Sequence, residues 1–112
     1  MLTLTFHGHA CFTLEADGRR VIIDPFLTGN PATDIPLLAG RVDAMLVPIG
    51  DNYTMGIEDA VRAVEFVQPR AVIPMHYNTW DVIKADPEQF KRQVGGRARV
   101  VVLAPGDAHT LS

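Results

Sequence analysis

Cysteine is nearly absent. Cys11 is the one thiol in 112 residues, so no intramolecular disulfide can form and the fold must rest on its core. A lone thiol fits a reducing cytoplasm. Basic residues are also in deficit, with 10 Lys and Arg against 13 Asp and Glu and a formal charge of −3. A protein that tracks nucleic-acid phosphates carries the opposite balance, so no nucleic-acid partner is expected. No apolar run approaches the ~20 residues that cross a bilayer, and no membrane partner is expected. Residues 1–5 alternate and have no basic n-region, so they read as a strand and not a signal peptide. No G-x-S-x-G elbow, P-loop or Ser-His-Asp order occurs. Nor does any repeat, low-complexity tract or linker divide the chain, so residues 1–112 are expected to form one domain.

What is present is an ordinary globular composition, 47% hydrophobic and 21% charged. Leu2, Leu4 and Phe6 alternate with Thr3, Thr5 and His7, the period of a half-buried strand. Gly8 interrupts that run and suggests a bulge. Asp17-Gly18 has the chemistry of a hairpin turn. Val21, Ile22 and Ile23 run on without alternation, as in a strand covered on both faces or lying under a helix. Pro25, Gly29, Pro31, Pro36 and Gly40 break the next stretch into a loop, with one helical turn expected near 36–39. Ile57, Ala60, Val61, Val64 and Val67 recur at helical spacing and stop before Pro69. Asp86-Pro87 reads as a helix N-cap and first position, and Gly95-Gly96 ends that helix. Pro105-Gly106 is expected to turn into a short final strand. The pattern predicts strands over 2–6, 10–15, 20–24, 44–49, 71–75 and 99–103 and helices over 57–68 and 87–94, an α/β fold containing a βαβ unit with a parallel pair.

Chemistry-bearing side chains fall where such a fold concentrates ligands, beyond the carboxyl ends of its strands. Asp24 ends one strand, Asp51 follows another and His76 follows a third. If those strands are parallel neighbours, the three face one crevice; otherwise Asp24 and Asp51 serve as turn caps. His76 suits either a metal ligand or a histidine bonded to loop backbone. His7, His9 and Cys11 would share a face of an unbroken strand, but a bulge at Gly8 turns His7 away from His9. Cys11 alone reads as a small buried hydrophobe, and His109 as a surface residue. Lys91, Arg92, Arg97 and Arg99 read as a solvated face.

Two blocks carry a resemblance. Gly8-His9-Ala10-Cys11-Phe12 and Ile23-Asp24-Pro25-Phe26-Leu27-Thr28-Gly29-Asn30-Pro31 form the first. Leu46-Val47-Pro48-Ile49-Gly50-Asp51-Asn52-Tyr53-Thr54-Met55-Gly56 and Val72-Ile73-Pro74-Met75-His76-Tyr77-Asn78-Thr79 form the second. Together they resemble the opening and the C-terminal part of metallo-β-lactamase-fold metal-dependent hydrolases, close to the UlaG-like group. The family's H-x-H-x-D-H loop, a further histidine and a metal-bridging aspartate have no counterpart here, and the text jumps between about Pro31 and Asp43.

By resemblance Asp24 supports the metal loop, His76 is a metal ligand, and His9 and Asp51 lie near the site. The implied cofactor is a divalent metal, zinc or manganese, with an incomplete ligand set. A hydrolytic site needs about three protein ligands and an open position for water, so weak or absent hydrolysis is expected, on a small-molecule substrate that the loops do not identify. The alternatives are a non-catalytic dimeric binding or scaffold module, or an internally deleted chain. The family's αββα sandwich would keep only half its layers, a shortened half-sandwich with a bare apolar face. A homodimer would supply the second layer.

Overall fold

The computed structural model describes residues 1–25 and 38–111. Six strands form one sheet in chain order: β1 (Thr3–Gly8), β2 (Cys11–Ala16), β3 (Arg19–Ile23), β4 (Ala44–Pro48), β5 (Ala71–Met75) and β6 (Arg99–Val100). The first three are antiparallel, and β3 to β6 are parallel. Helix α1 (Ile57–Val67) crosses from β4 to β5, and α2 (Pro87–Val94) from β5 to β6.

Local chemistry accounts for the boundaries. The register shifts between Phe6 and Gly8, the expected bulge, and Gly8 takes φ 101°. Asp17 and Gly18 turn with φ 51° and 75°, both in the left-handed region that a two-residue hairpin of this twist requires. The Asp86 carboxylate accepts the Glu88 amide at 2.9 Å, Pro87 opens α2, and Gly95 closes it with φ 60°. α1 ends at Gln68, whose left-handed φ of 53° lets its amide reach the Val64 carbonyl.

The expected final strand does not form: β6 keeps two residues, and no strand occurs over 104–111. Asp107 instead folds that stretch back on itself, its amide donating to the Ala104 carbonyl at 2.9 Å and its carboxylate accepting the Ala104 amide at 3.0 Å. The expected helical turn near 36–39 falls largely outside the described residues.

Both helices pack on one face of the sheet. Ile22, Met45, Val72 and Val100 align in register across four strands and meet Ala60, Ala63, Val64, Val67, Phe90 and Val94 in the core. Cys11 and Thr13 extend that face into β2, where the Thr13 hydroxyl bonds the buried His7 ring at 3.0 Å. Val21 and Ile23 point to the opposite face and are half-buried, so the apolar run in β3 is covered on one side only. Along β1, every residue from Thr3 to Phe6 is exposed; the helical layer does not reach this edge strand.

On the opposite face two apolar rows cross five strands. Phe6, Phe12, Ile23, Leu46 and Ile73 form one, and Leu4, Leu14, Val21, Ala44 and Ala71 the other. Phe6 and Phe12 stack with ring centroids 5.0 Å apart. Leu4 is 62% exposed and Phe6 60%.

Candidate functional site

The carboxyl ends of β3, β4 and β5, together with the β1–β2 turn, form one edge of the molecule. Asp24 follows β3, Asp51 lies beyond β4, His76 follows β5, and His9 sits in the β1–β2 turn. All four have positive φ: 56° at His9, 52° at Asp24, 63° at Asp51 and 58° at His76. Asn52 and Asn78 on the same edge share this conformation at 62°. Only Asp17 and Gln68, at the opposite end, complete the set of non-glycine residues with positive φ among the described residues. Left-handed backbone costs an L-residue about 1–2 kcal/mol, less for Asp and Asn. Concentration of such residues at one edge marks a place where geometry is held against local preference.

Two loops are locked together there. The Ile49 amide donates to the Met75 carbonyl at 3.1 Å, and a side chain at Gly50 would stand 2.2 Å from the His76 carbonyl oxygen and 2.9 Å from Ile83 Cβ. Only glycine admits that approach. The Asn52 side-chain amide donates to the Val82 carbonyl, and the Asn78 side-chain oxygen accepts the Ala85 amide at 2.9 Å. Gly50, Asn52 and Asn78 therefore fix the edge although none was nominated from sequence. Their signal was modest: a glycine just past a strand and two Asn beside polar residues.

Asp24, His9 and His76 come together electrostatically. Burial raises the Asp24 carboxyl above its ordinary 3.8, while the imidazoles of His9 and then His76 pull it back down. His9 and His76 are exposed and Asp24 is half-buried, with its amide donating to the Leu46 carbonyl at 2.8 Å. Asp51 stands apart from this trio. It is exposed, its amide donates to the Met55 carbonyl at 3.0 Å, and it lines a cavity of about 690 Å³ with Ile49, Gly56, Asn78, Lys84 and Asp86. His7 is turned inward onto Thr13, separated from His9 by the bulge.

A bound zinc needs several protein donors meeting at ~2.0–2.3 Å from one point. Among the described residues, no three His, Cys, Asp or Glu side chains are so placed. The donors of this edge thus do not fit a resident divalent ion as they stand. What the arrangement offers is a half-buried carboxylate within electrostatic reach of two exposed imidazoles, a set able to hydrogen-bond a polar ligand.

The family model described as "Beta-lactamase superfamily domain" matches residues 3–39 and 33–76. The two stretches meet at 33–39, within the interval where the resemblance jumps. A UPF0173 metal-dependent hydrolase of Symbiobacterium thermophilum is 41% identical over 126 residues, taking in 98% of this chain and 54% of that protein. Another, of Thermococcus kodakarensis, is 51% identical over 103 residues, covering 89% of this chain and 46% of its own length. Among solved structures, Igni18, a metallo hydrolase of Ignicoccus hospitalis, superposes with a TM-score of 0.75 at 32% identity over 95% of this chain and 50% of that one. The chain thus spans about half the length of these relatives. No described helix is long and apolar enough to cross a membrane.

Proposed function

The chain belongs to the β-lactamase superfamily and has the metallo-β-lactamase fold in shortened form, and from that membership we propose that it keeps the ligand-facing edge of a metal-dependent hydrolase while hydrolysing weakly or not at all by itself. One observation carries the reading. Four turns, from four different strands, each place a left-handed His or Asp on one edge, and the charges of His9 and His76 act on Asp24 there. The frame of a site is therefore maintained, against a backbone cost at every corner.

Hydrolysis is another matter. A metal-activated water requires an ion with fixed geometry and an open position. Among the described residues no three His, Cys, Asp or Glu side chains converge on one point, and Asp51 lines the neighbouring cavity. Such an edge binds a polar small molecule through hydrogen bonds to the carboxylate and imidazoles, without the means to cleave it. A cytoplasmic location fits the single cysteine, which is buried. The chain also resembles the UlaG-like group in the two blocks that converge on this edge.

The test is turnover of a phosphodiester and a lactone with added zinc or manganese, run on the chain and on His76→Ala. Rates equal to free metal in both proteins are expected, with sub-stoichiometric metal in the purified chain. A metal-dependent rate well above free metal, lost in His76→Ala, would overturn the reading.

A further inference from the structure

We propose that the open face of the sheet is the contact between two copies of this chain, stacked sheet on sheet with the helices outermost. Both helices lie on the other face; on this one Leu4, Phe6 and Phe12 at the β1–β2 end are exposed, while the rest of the two rows is half-buried or, at Ala44 and Ala71, buried. Those rows contain no ionisable side chain. A face of this kind suits a two-fold operation that brings apolar atoms onto apolar atoms, with Arg99, which continues the Ala71 row into β6, left at its border.

Size supports a second copy as the occupant. Five strands at ~4.8 Å spacing and two rows ~6.8 Å apart give a face of roughly 330 Å² in flat projection. With side-chain relief, pairing two such faces buries on the order of 1,000 Å², the lower bound for a specific interface. An apolar patch of a few hundred Å² on one chain is often an interaction surface. The relatives point to an occupant of matching size as well. This chain superposes on 50% of Igni18, so the layers that are missing here amount to about one more chain of this length. Two sheets with inner faces ~10 Å apart, each backed by its own helices, restore a four-layer order from two identical halves.

Light scattering on the intact chain at tens of micromolar tests the proposal. The expected species has twice the 12.3 kDa mass of one chain. Leu4→Glu places a charge on the face at a side chain already 62% exposed, so the subunit should keep its far-ultraviolet circular dichroism while dimer affinity falls about a hundredfold or more. Trp80→Glu, at an equally exposed apolar residue outside the sheet, should leave the dimer intact. A wild-type chain at the mass of one copy would overturn the proposal. So would a folded Leu4→Glu protein that dimerises as tightly as wild type, since the contact would then lie elsewhere.

Discussion

The two ends of the parallel strands are built on opposite terms. At the amino end, polar groups satisfy one another. The Asp43 carboxylate accepts the Arg20 amide at 2.8 Å and faces the Arg70 guanidinium at 3.9 Å, and the Arg20 side chain bonds Glu15 at 2.8 Å. At the carboxyl end, the charges of His9 and His76 act on the half-buried Asp24, and all three stand on backbones held at positive φ. The first arrangement ties neighbouring strands together through side-chain contacts; the second sets a half-buried carboxylate and two exposed imidazoles on left-handed backbone. Residue type alone does not divide them, because both ends are rich in Asp. The division comes from what each carboxylate meets.

The largest effect should come from filling the close approach at the carboxyl end. Gly50→Val would drive a side chain into the His76 carbonyl and Ile83, and the two loops would have to part. A loss of about 3 kcal/mol is expected. Gly18→Ala in the opposite turn has no atom within 4 Å of the added carbon and violates only its φ of 75°, so about 1 kcal/mol is expected there. Paired urea melts measure both. Equal losses would erase the distinction between an end locked by contact and an end shaped by local conformation.

Next in size is Asp43→Ala. It leaves the Arg20 amide without its carboxylate, and a loss of about 1–2 kcal/mol is expected. Thermal unfolding checks it; a neutral result would mean that the amino end is not held by its polar contacts.

The smallest effect has the opposite sign. Burial raises the Asp24 carboxyl above 3.8, so the folded state holds this proton more tightly than the unfolded state does. Stability from this group is present below the ordinary value and falls as pH climbs through the raised one. Asp24→Asn removes the cost of the ionised carboxylate. At neutral pH the variant should gain a fraction of a kcal/mol after solvent screening, and the gain should vanish below about pH 3.8. Melting curves across pH 3–7 decide it. A variant less stable than wild type at neutral pH would make Asp24 a structural group like Asp43.

Much of this frame was legible in the residues themselves. Asp17-Gly18, Asp86-Pro87 and the Gly8 interruption specify their turns, cap and bulge through chemistry within three or four positions, and the structure places each there. The helical stripe from Ile57 to Val67 likewise meets the core at Ala60, Val64 and Val67. Coverage was not legible. Val21, Ile22 and Ile23 look alike in sequence, yet Ile22 is fully buried and its two neighbours are not. Which side a layer covers depends on partners distant along the chain. The conformations of His9 and His76 were hidden for a related reason: His is enriched among left-handed residues, yet such residues stay a small minority, and which His adopts that backbone follows from the loops around it. Asp51 was grouped with Asp24 on position alone, and its loop, closed by the Met55 carbonyl, carries it to the adjoining cavity.

Strand order equal to chain order has a consequence for how the sheet assembles. Each strand pairs with the one made just before it, so no late segment has to thread between strands already joined. The β1–β2–β3 meander closes over tight turns, and every later strand adds to a free edge. Loop closure then stays inexpensive in entropy at each step. The antiparallel meander is the local part of this growth, and the parallel pairings of β3 to β6, each closed over a long crossover, are the slow part.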